Sequence, residues 1–223
     1  MPILIRFLFA VALVAGMSSV LAPAVAQENL TVNARFLLAA RNADEAGLKR
    51  ALADGAAINS RNRLGESALI VVLKKNRIDL AQLLIDAGAD INQPALNGIT
   101  PLMTAAYEGQ TEMVRQLLAK GANPAASDRL QKNAMIYAAG EGRTSVVTLL
   151  LENKIDPNAT YGNDLTALMW AAGFGKTDTV RALLAAGADP KRKDNRGKTA
   201  SDIAREQNFA ETAAVLDAAK PGG

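Results

Sequence analysis

A pair of carboxylates is the arrangement to consider for acid–base chemistry in this sequence, which contains no histidine and no cysteine. Thiolate nucleophiles, imidazole bases and zinc sites built on these residues are therefore excluded. Two carboxylates could still act as general acid and general base without histidine. Glu108 and Glu141 are the candidates, since they occupy the same position of a pattern that repeats along the chain.

We interpret Glu108 and Glu141 as two solvated side chains, since neighbouring helices would hold them about 10 Å apart on an exposed face. The chain has no glycine motif for binding phosphate or a dinucleotide and no nucleophile elbow. Aspartates near the loops occur once per repeat and are not clustered as calcium ligands. We therefore expect no catalysis, no cofactor and no metal. A pocket with convergent carboxylates would restore the enzymatic alternative.

The elements that position these residues are clearest in residues 97–122. Asn97-Gly98 is a turn signal, and Thr100-Pro101 is typical of a helix start. A first apolar stripe ends at Gly109, and a second ends at Gly121, where a left-handed helix cap is expected. The predicted unit is a turn, a short helix, a turn, a longer helix and a loop.

This unit recurs with one period. Gly55, Gly88 and Gly121 follow one another at intervals of 33 residues, and Gly187 lies two intervals further on. The glycine expected one interval after Gly121 is absent, and Lys154 holds its place. Lys154 therefore stands where a left-handed residue is preferred. The fourth repeat, which contains Lys154, therefore matches the pattern poorly. Two interpretations stay open: a functional hinge, or sequence drift without a functional role.

The repeat resembles the ankyrin family, whose units of about 33 residues read turn–helix–helix and carry T-P-L-x-x-A. The matching residues are 98–106, the weaker 166–172, and the loops Gly88-Ala89-Asp90 and Gly187-Ala188-Asp189. The resemblance covers roughly Asn33 to Ala219 and implies an all-α ankyrin solenoid of about six repeats. The family's usual histidine after T-P-L is Met103, Ile136 and Met169 here, so we expect the repeats to depend more on apolar packing.

The first 26 residues read as a secretory signal peptide. Arg6 precedes an apolar run at residues 7–16, and Ala24-Val25-Ala26 predicts cleavage before Gln27. An uncleaved membrane anchor is the alternative. Export to the bacterial periplasm follows, and the absence of cysteine suits an oxidising compartment.

The predicted division of the chain is a signal peptide (1–26), a short linker (27–32), an ankyrin-repeat domain (33–219) and a disordered tail (220–223). The six repeats span approximately residues 33–63, 64–95, 96–129, 130–163, 164–195 and 196–219.

Stacked repeats make an extended concave surface, and the resemblance implies that partners meet the loop tips and the exposed ends of the first helices. The candidate partner-binding residues in those positions are Leu96, Asn97, Ile99, Tyr107, Glu108, Arg129, Leu130, Lys132, Glu141, Leu165, Phe174 and Arg196. Six of them are predicted to form one apolar strip: Leu96, Ile99, Tyr107, Leu130, Leu165 and Phe174. The alternative is that these side chains fold back onto neighbouring repeats. Tyr137 and Trp170 share a position and are expected to be at least half core.

The functional expectation is a non-catalytic protein–protein interaction module, a monomer that binds one or more proteins. The formal net charge of +3 is too balanced to favour nucleic acid. The basic cluster at residues 191–198 is interpreted as a solvated loop, with an acidic partner as the alternative. Within binding, the resemblance also admits a chaperone-like protector of a periplasmic enzyme, such as one of oxidative defence.

Overall fold

A computed structural model describes residues 31–219, which contain twelve α-helices and one isolated bridge between Arg61 and Ser67. The predicted signal peptide, most of the predicted linker and the predicted tail lie outside the described residues. In each repeat a first helix (odd number) precedes a second helix (even number). The helices are α1 Val32–Asn42, α2 Glu45–Ala53, α3 Ala68–Lys74, α4 Ile78–Asp86, α5 Pro101–Glu108, α6 Thr111–Ala119, α7 Ala134–Glu141, α8 Thr144–Glu152, α9 Ala167–Gly173, α10 Thr177–Ala185, α11 Ala200–Glu206 and α12 Ala210–Ala218.

Side-chain caps start the first helices of repeats 2 to 6. The Thr100 hydroxyl accepts a hydrogen bond from the amide of Met103 at 3.2 Å, and Pro101 fills the first helical position. The cap stabilises the helix because that amide has no partner within the first turn. The equivalent capping residues are Ser67, Asn133, Thr166 and Thr199.

One left-handed residue ends each second helix from α2 to α10 and turns the chain toward the next hairpin. Gly121 has φ of +89° after α6, and Lys154 holds the equivalent place after α8 with φ of +63°. The prediction that a lysine occupies this left-handed position is confirmed. An L-residue there is less favourable than glycine, because its Cβ crowds the following carbonyl.

The core runs continuously through the repeats. Leu102, Met135 and Leu168 lie at equivalent positions of the first helices, and each is at most 1% exposed. Ala105 and Ala106 are fully buried, so successive first helices approach closely. Met103, Ile136 and Met169 are buried in the same core, as expected for repeats that lack the family's usual histidine.

Asparagine side chains tie successive loops together. Asn92 accepts a hydrogen bond from the amide of Asn123 at 2.9 Å and donates to the carbonyl of Gly121 at 3.2 Å. Asn158 makes the same two contacts with Asp189 and Gly187. The equivalent residue between them is Ala125, whose methyl group can make neither bond. The junction between the third and fourth repeats therefore lacks this bridge.

Candidate functional site

Hairpins before the first helices present side chains at their tips. In the third hairpin the backbone amide of Ala95 donates to the carbonyl of Ile99 at 2.8 Å. The amide of Gly98 donates to the carbonyl of Ala95 at 2.9 Å. The fourth hairpin is closed in the same way by the amide of Asp128 and the carbonyl of Lys132 at 2.8 Å. This closure fixes the backbone and leaves the tip residues in solvent.

Three leucines occupy these tips and form what we call the tip row: Leu64, Leu96 and Leu130. Their relative exposures are 65%, 56% and 69%, which is high for apolar side chains. The backbone amide of Leu96 donates to the carbonyl of Leu64 at 3.0 Å, and the backbone amide of Arg129 donates to the carbonyl of Asn97 at 3.0 Å. Hydrogen bonds between neighbouring hairpins therefore hold the row together.

An aromatic cluster of Tyr107, Tyr137, Trp170 and Phe174 covers the exposed side of the first helices in repeats 3 to 5. The rings of Tyr107 and Tyr137 meet edge to face at 6.0 Å, and those of Trp170 and Phe174 stack at 5.9 Å. Lys132 places its ammonium group 5.5 Å from the Tyr137 ring and 5.0 Å from the Trp170 ring. Both distances are within the range of cation–π attraction.

The rings of Trp170 and Phe174 pass close to a glycine at position 140. Gly140 is the equivalent of Tyr107 in the next repeat, and a Cβ there would lie 3.7 Å from both the Trp170 and the Phe174 rings. In the second repeat the equivalent residue is Lys74, which instead forms an ion pair with Glu66 along the helix. The middle repeats thus expose aromatic rings where the second repeat has a charged pair.

The Tyr137 hydroxyl donates a hydrogen bond to Asp128 Oδ2 at 2.6 Å. Burial raises the pKa of Tyr137, and the hydrogen bond to the Asp128 carboxylate raises it further. The phenol therefore stays neutral at physiological pH. This contact links the aromatic cluster to the fourth hairpin and gives the tyrosine a positioning role.

A cavity of about 310 Å³ opens beside the cluster. Buried Met103 and Thr104 contribute to it, together with Ile99, Tyr107 and Tyr137, and Lys74 and Glu108 also line it. A mainly apolar recess of this size is large enough for one large apolar side chain, as are the pockets that hold anchor residues at protein interfaces.

The two candidate carboxylates do not share a site. Glu108 lines the cavity beside Tyr107, whereas Glu141 lines an open depression together with Asp178 and Glu211. Glu211 also lies 3.9 Å from Arg181. Residues 31–219 contain no group of three or more acidic side chains placed to hold a metal ion.

The repeats match a known protein family over most of the chain. The family model described as ankyrin repeats (3 copies) matches residues 36–128, 88–161 and 135–220, which together are most of the chain. The chain belongs to the ankyrin-repeat family. Ankyrin repeats generally mediate protein–protein interaction, and the family is typically non-catalytic.

Individual relatives match over shorter stretches. The putative ankyrin repeat protein YahD of Escherichia coli is 33% identical over 85 residues, which are 38% of this chain and 42% of that protein. The inactive serine/threonine-protein kinase TEX14 of Mus musculus is 31% identical over 86 residues, 39% of this chain and 6% of that protein. The poly [ADP-ribose] polymerase tankyrase of Caenorhabditis elegans is 34% identical over 84 residues, 36% of this chain and 4% of that protein. The matches with the kinase and the tankyrase thus span under a tenth of either protein.

The predicted partner-binding residues divide by exposure in this ankyrin-repeat structure. The exposed ones are Leu96, Asn97, Tyr107, Arg129, Leu130, Phe174 and Arg196, and the half-buried ones are Ile99, Glu108, Lys132, Glu141 and Leu165. The structure brings Ile99, Tyr107 and Glu108 together around the cavity. Arg196 is held by Asp194 at 2.7 Å. No helix within residues 31–219 is long and apolar enough to cross a membrane.

Sequence reasoning undervalued two residues of the site. Tyr137 and Trp170 are half-buried, as expected, but each also contacts an exposed ring and the Lys132 ammonium group. Their shared repeat position, with glycine three residues later in both repeats, was the available signal.

Proposed function

We propose that the protein is an exported interaction module that binds a partner protein through its hairpin tips and first helices. The observation that carries this proposal is the placement of exposed large apolar side chains. Within residues 31–219 there are six, and five lie on this face: Leu64, Leu96, Tyr107, Leu130 and Phe174. Exposed apolar patches with aromatic anchors mark interaction sites.

The mechanism is recognition by a preformed surface, without chemistry. Backbone hydrogen bonds fix the hairpins, and packed rings and the Lys132 ammonium group order the aromatic cluster. A surface ordered before binding loses little conformational entropy when a partner docks. The cavity beside Tyr107 then receives an apolar side chain of the partner.

Export to the periplasm is part of the proposal and rests on the sequence of residues 1–26. Arg6, the apolar run at residues 7–16 and Ala24-Val25-Ala26 have the order of a signal peptide. Fractionation of the host, followed by N-terminal sequencing of the mature protein, tests it. A mature chain that starts at Gln27 in the periplasmic fraction is expected, whereas a retained segment 1–26 would indicate an anchor.

Partner capture tests the binding face. The full chain, carrying a C-terminal affinity tag, is expressed in its host and recovered from periplasmic extract with bound proteins. We expect a partner to be retained by the wild type and lost by a variant with Leu96, Ile99, Tyr107 and Phe174 changed to Ser. Circular dichroism checks that this variant folds.

The matched control is Phe209→Ser, because Phe209 is 37% exposed but belongs to the last repeat. This control should keep the partner. Equal retention by the wild type and the four-residue variant would place the partner on another face, and retention by neither would remove support for the binding proposal.

A further inference from the structure

The tip row carries positive charge between its leucines. Arg63 precedes Leu64 and Arg129 precedes Leu130, so the two arginines hold equivalent positions two repeats apart. Both are exposed. Neither arginine takes part in an ion pair within residues 31–219. By contrast, Arg196 in the sixth hairpin is paired with Asp194.

The carboxylates of the same hairpins are already engaged. Glu66 is held by Lys74 and by the side-chain amide of Asn62. Asp128 accepts hydrogen bonds from the Tyr137 hydroxyl and from the amides of Leu130 and Lys132. The charge that the second and fourth hairpins leave free at their tips is therefore positive.

The pattern is held at fixed spacing. The amide–carbonyl bonds from Leu96 to Leu64 and from Arg129 to Asn97 join three consecutive hairpins. Leu96 also lies directly over Gly65, where an added Cβ would come within 2.7 Å of the leucine Cγ. Two arginines and three leucines are consequently presented as one ordered edge.

We propose that this edge docks an acidic protein segment that also carries apolar side chains. Carboxylates of the segment bind Arg63 and Arg129, whose planar guanidinium groups match carboxylate geometry. Its apolar side chains cover Leu64, Leu96 and Leu130, which a purely polar anion would leave in water. The inference rests on the proposed function and specifies the chemistry of the partner.

Three synthetic peptides, each labelled with an uncharged dye, test the proposal by fluorescence anisotropy with protein purified from the host's periplasm. The first alternates glutamate with leucine, the second alternates lysine with leucine, and the third alternates glutamate with serine. We expect the glutamate–leucine peptide to bind about tenfold more tightly than either of the others. Its affinity should fall as salt is added.

The decisive variant is Arg63→Gln with Arg129→Gln, which should weaken binding of the glutamate–leucine peptide about tenfold. The control is Arg115→Gln with Arg181→Gln, which removes the same charge from the second helices α6 and α10 and should leave binding unchanged. Equal binding of the glutamate–leucine and lysine–leucine peptides, or no effect of the decisive variant, would overturn the proposal. So would equal binding of the serine peptide, or tighter binding of a short oligothymidylate or of anionic phospholipid vesicles.

Partner capture separates this inference from the proposed function. Loss of the partner by the Arg63→Gln, Arg129→Gln variant supports both. If this variant still retains the partner but the four-residue serine variant does not, the proposed function stands. The proposal of an acidic segment is then rejected. If neither the wild type nor any variant retains a partner, the proposed function fails, whatever the peptides show.

Discussion

At the scale of single residues, Asp128 joins the hairpin to the aromatic surface. Asp128 is 5% exposed, and its carboxylate accepts hydrogen bonds from two backbone amides and from the Tyr137 hydroxyl. A buried carboxylate depends on such donors, because they replace the water that it loses on folding. The position of the Tyr137 ring, and through it that of Tyr107, thus depends on a carboxylate in the preceding hairpin.

Removing one hydroxyl tests this dependence. Tyr137→Phe leaves Asp128 Oδ2 without its side-chain donor and should lower the free energy of unfolding by about 1–3 kcal/mol. Urea unfolding followed by circular dichroism measures it. Tyr107→Phe is the control, because within the described residues its hydroxyl makes no hydrogen bond to another group, and its effect should stay below about 0.5 kcal/mol. Equal effects of the two changes would contradict the role given to Asp128.

At the scale of elements, the stack has two weak points close together, one at the end of the fourth repeat and one at its junction with the third. Lys154 occupies the left-handed position that Gly121 and Gly187 fill elsewhere, and Ala125 replaces the asparagine that bridges loops. Solenoid stability is approximately a sum of repeat terms and nearest-neighbour terms, so each defect acts locally. The structure shows both defects while the helices α7 and α8 keep their lengths.

Lys154→Gly should stabilise the protein by about 1 kcal/mol, because glycine adopts the left-handed conformation without a Cβ clash. Thermal unfolding of the variant and the wild type gives the difference. The reciprocal change Gly121→Lys should destabilise by a similar amount. A lower melting temperature for Lys154→Gly would contradict this expectation. It would show that the lysine side chain contributes more stability than its left-handed backbone conformation costs.

Ala125→Asn should restore the missing bridge, with the new side chain accepting from the amide of Asp156 and donating to the carbonyl of Lys154. We expect a gain of about 0.5–1.5 kcal/mol in unfolding free energy. Hydrogen exchange of the Asp156 amide should slow in parallel. Asn92→Ala removes an existing bridge and serves as the opposite control. Unchanged exchange at Asp156 would mean that the bridge does not form at this junction.

At the scale of the whole molecule, the pH dependence of stability follows from the absence of histidine. The hydrogen bond from Arg77 lowers the pKa of Asp79 to about 2, and hydrogen bonds from Thr199 and Ser201 lower the pKa values of Asp202 and Asp217. A carboxylate with a lowered folded-state pKa stabilises the protein above its unfolded pKa of about 3.9, and this contribution is lost as the pH falls. Tyr137 has the opposite pH dependence, because its pKa is raised. Its contribution to stability is fully present below about pH 10 and is lost as the pH rises further.

The free energy of unfolding should therefore be level between about pH 5 and pH 9 and decline on both sides. Urea unfolding at fixed ionic strength across this range, followed by the fluorescence of the single tryptophan, tests the profile. A step near pH 6.5 would contradict it, because no side chain with an unperturbed pKa in that region is present.

Much of the fold was predictable because it depends on local residue types that recur. Thr100-Pro101 signals a helix start, Gly109 and Gly121 end helices, and the 33-residue register extends these assignments to the other repeats. The residues of the site were only partly predictable. The ring contacts of Tyr137 and Trp170 depend on side chains from neighbouring repeats, which a single repeat does not specify.

By itself, the sequence determined the all-α repeat architecture, the caps, the left-handed positions and the absence of histidine and cysteine chemistry, because each follows from residue type and spacing. Only the tertiary structure decided that Glu108 and Glu141 line separate depressions and that Lys132 rests on two aromatic rings. It also decided that Arg63 and Arg129 stay unpaired beside exposed leucines. These features depend on how side chains of one repeat meet those of the next, and that packing is fixed only when the repeats are stacked.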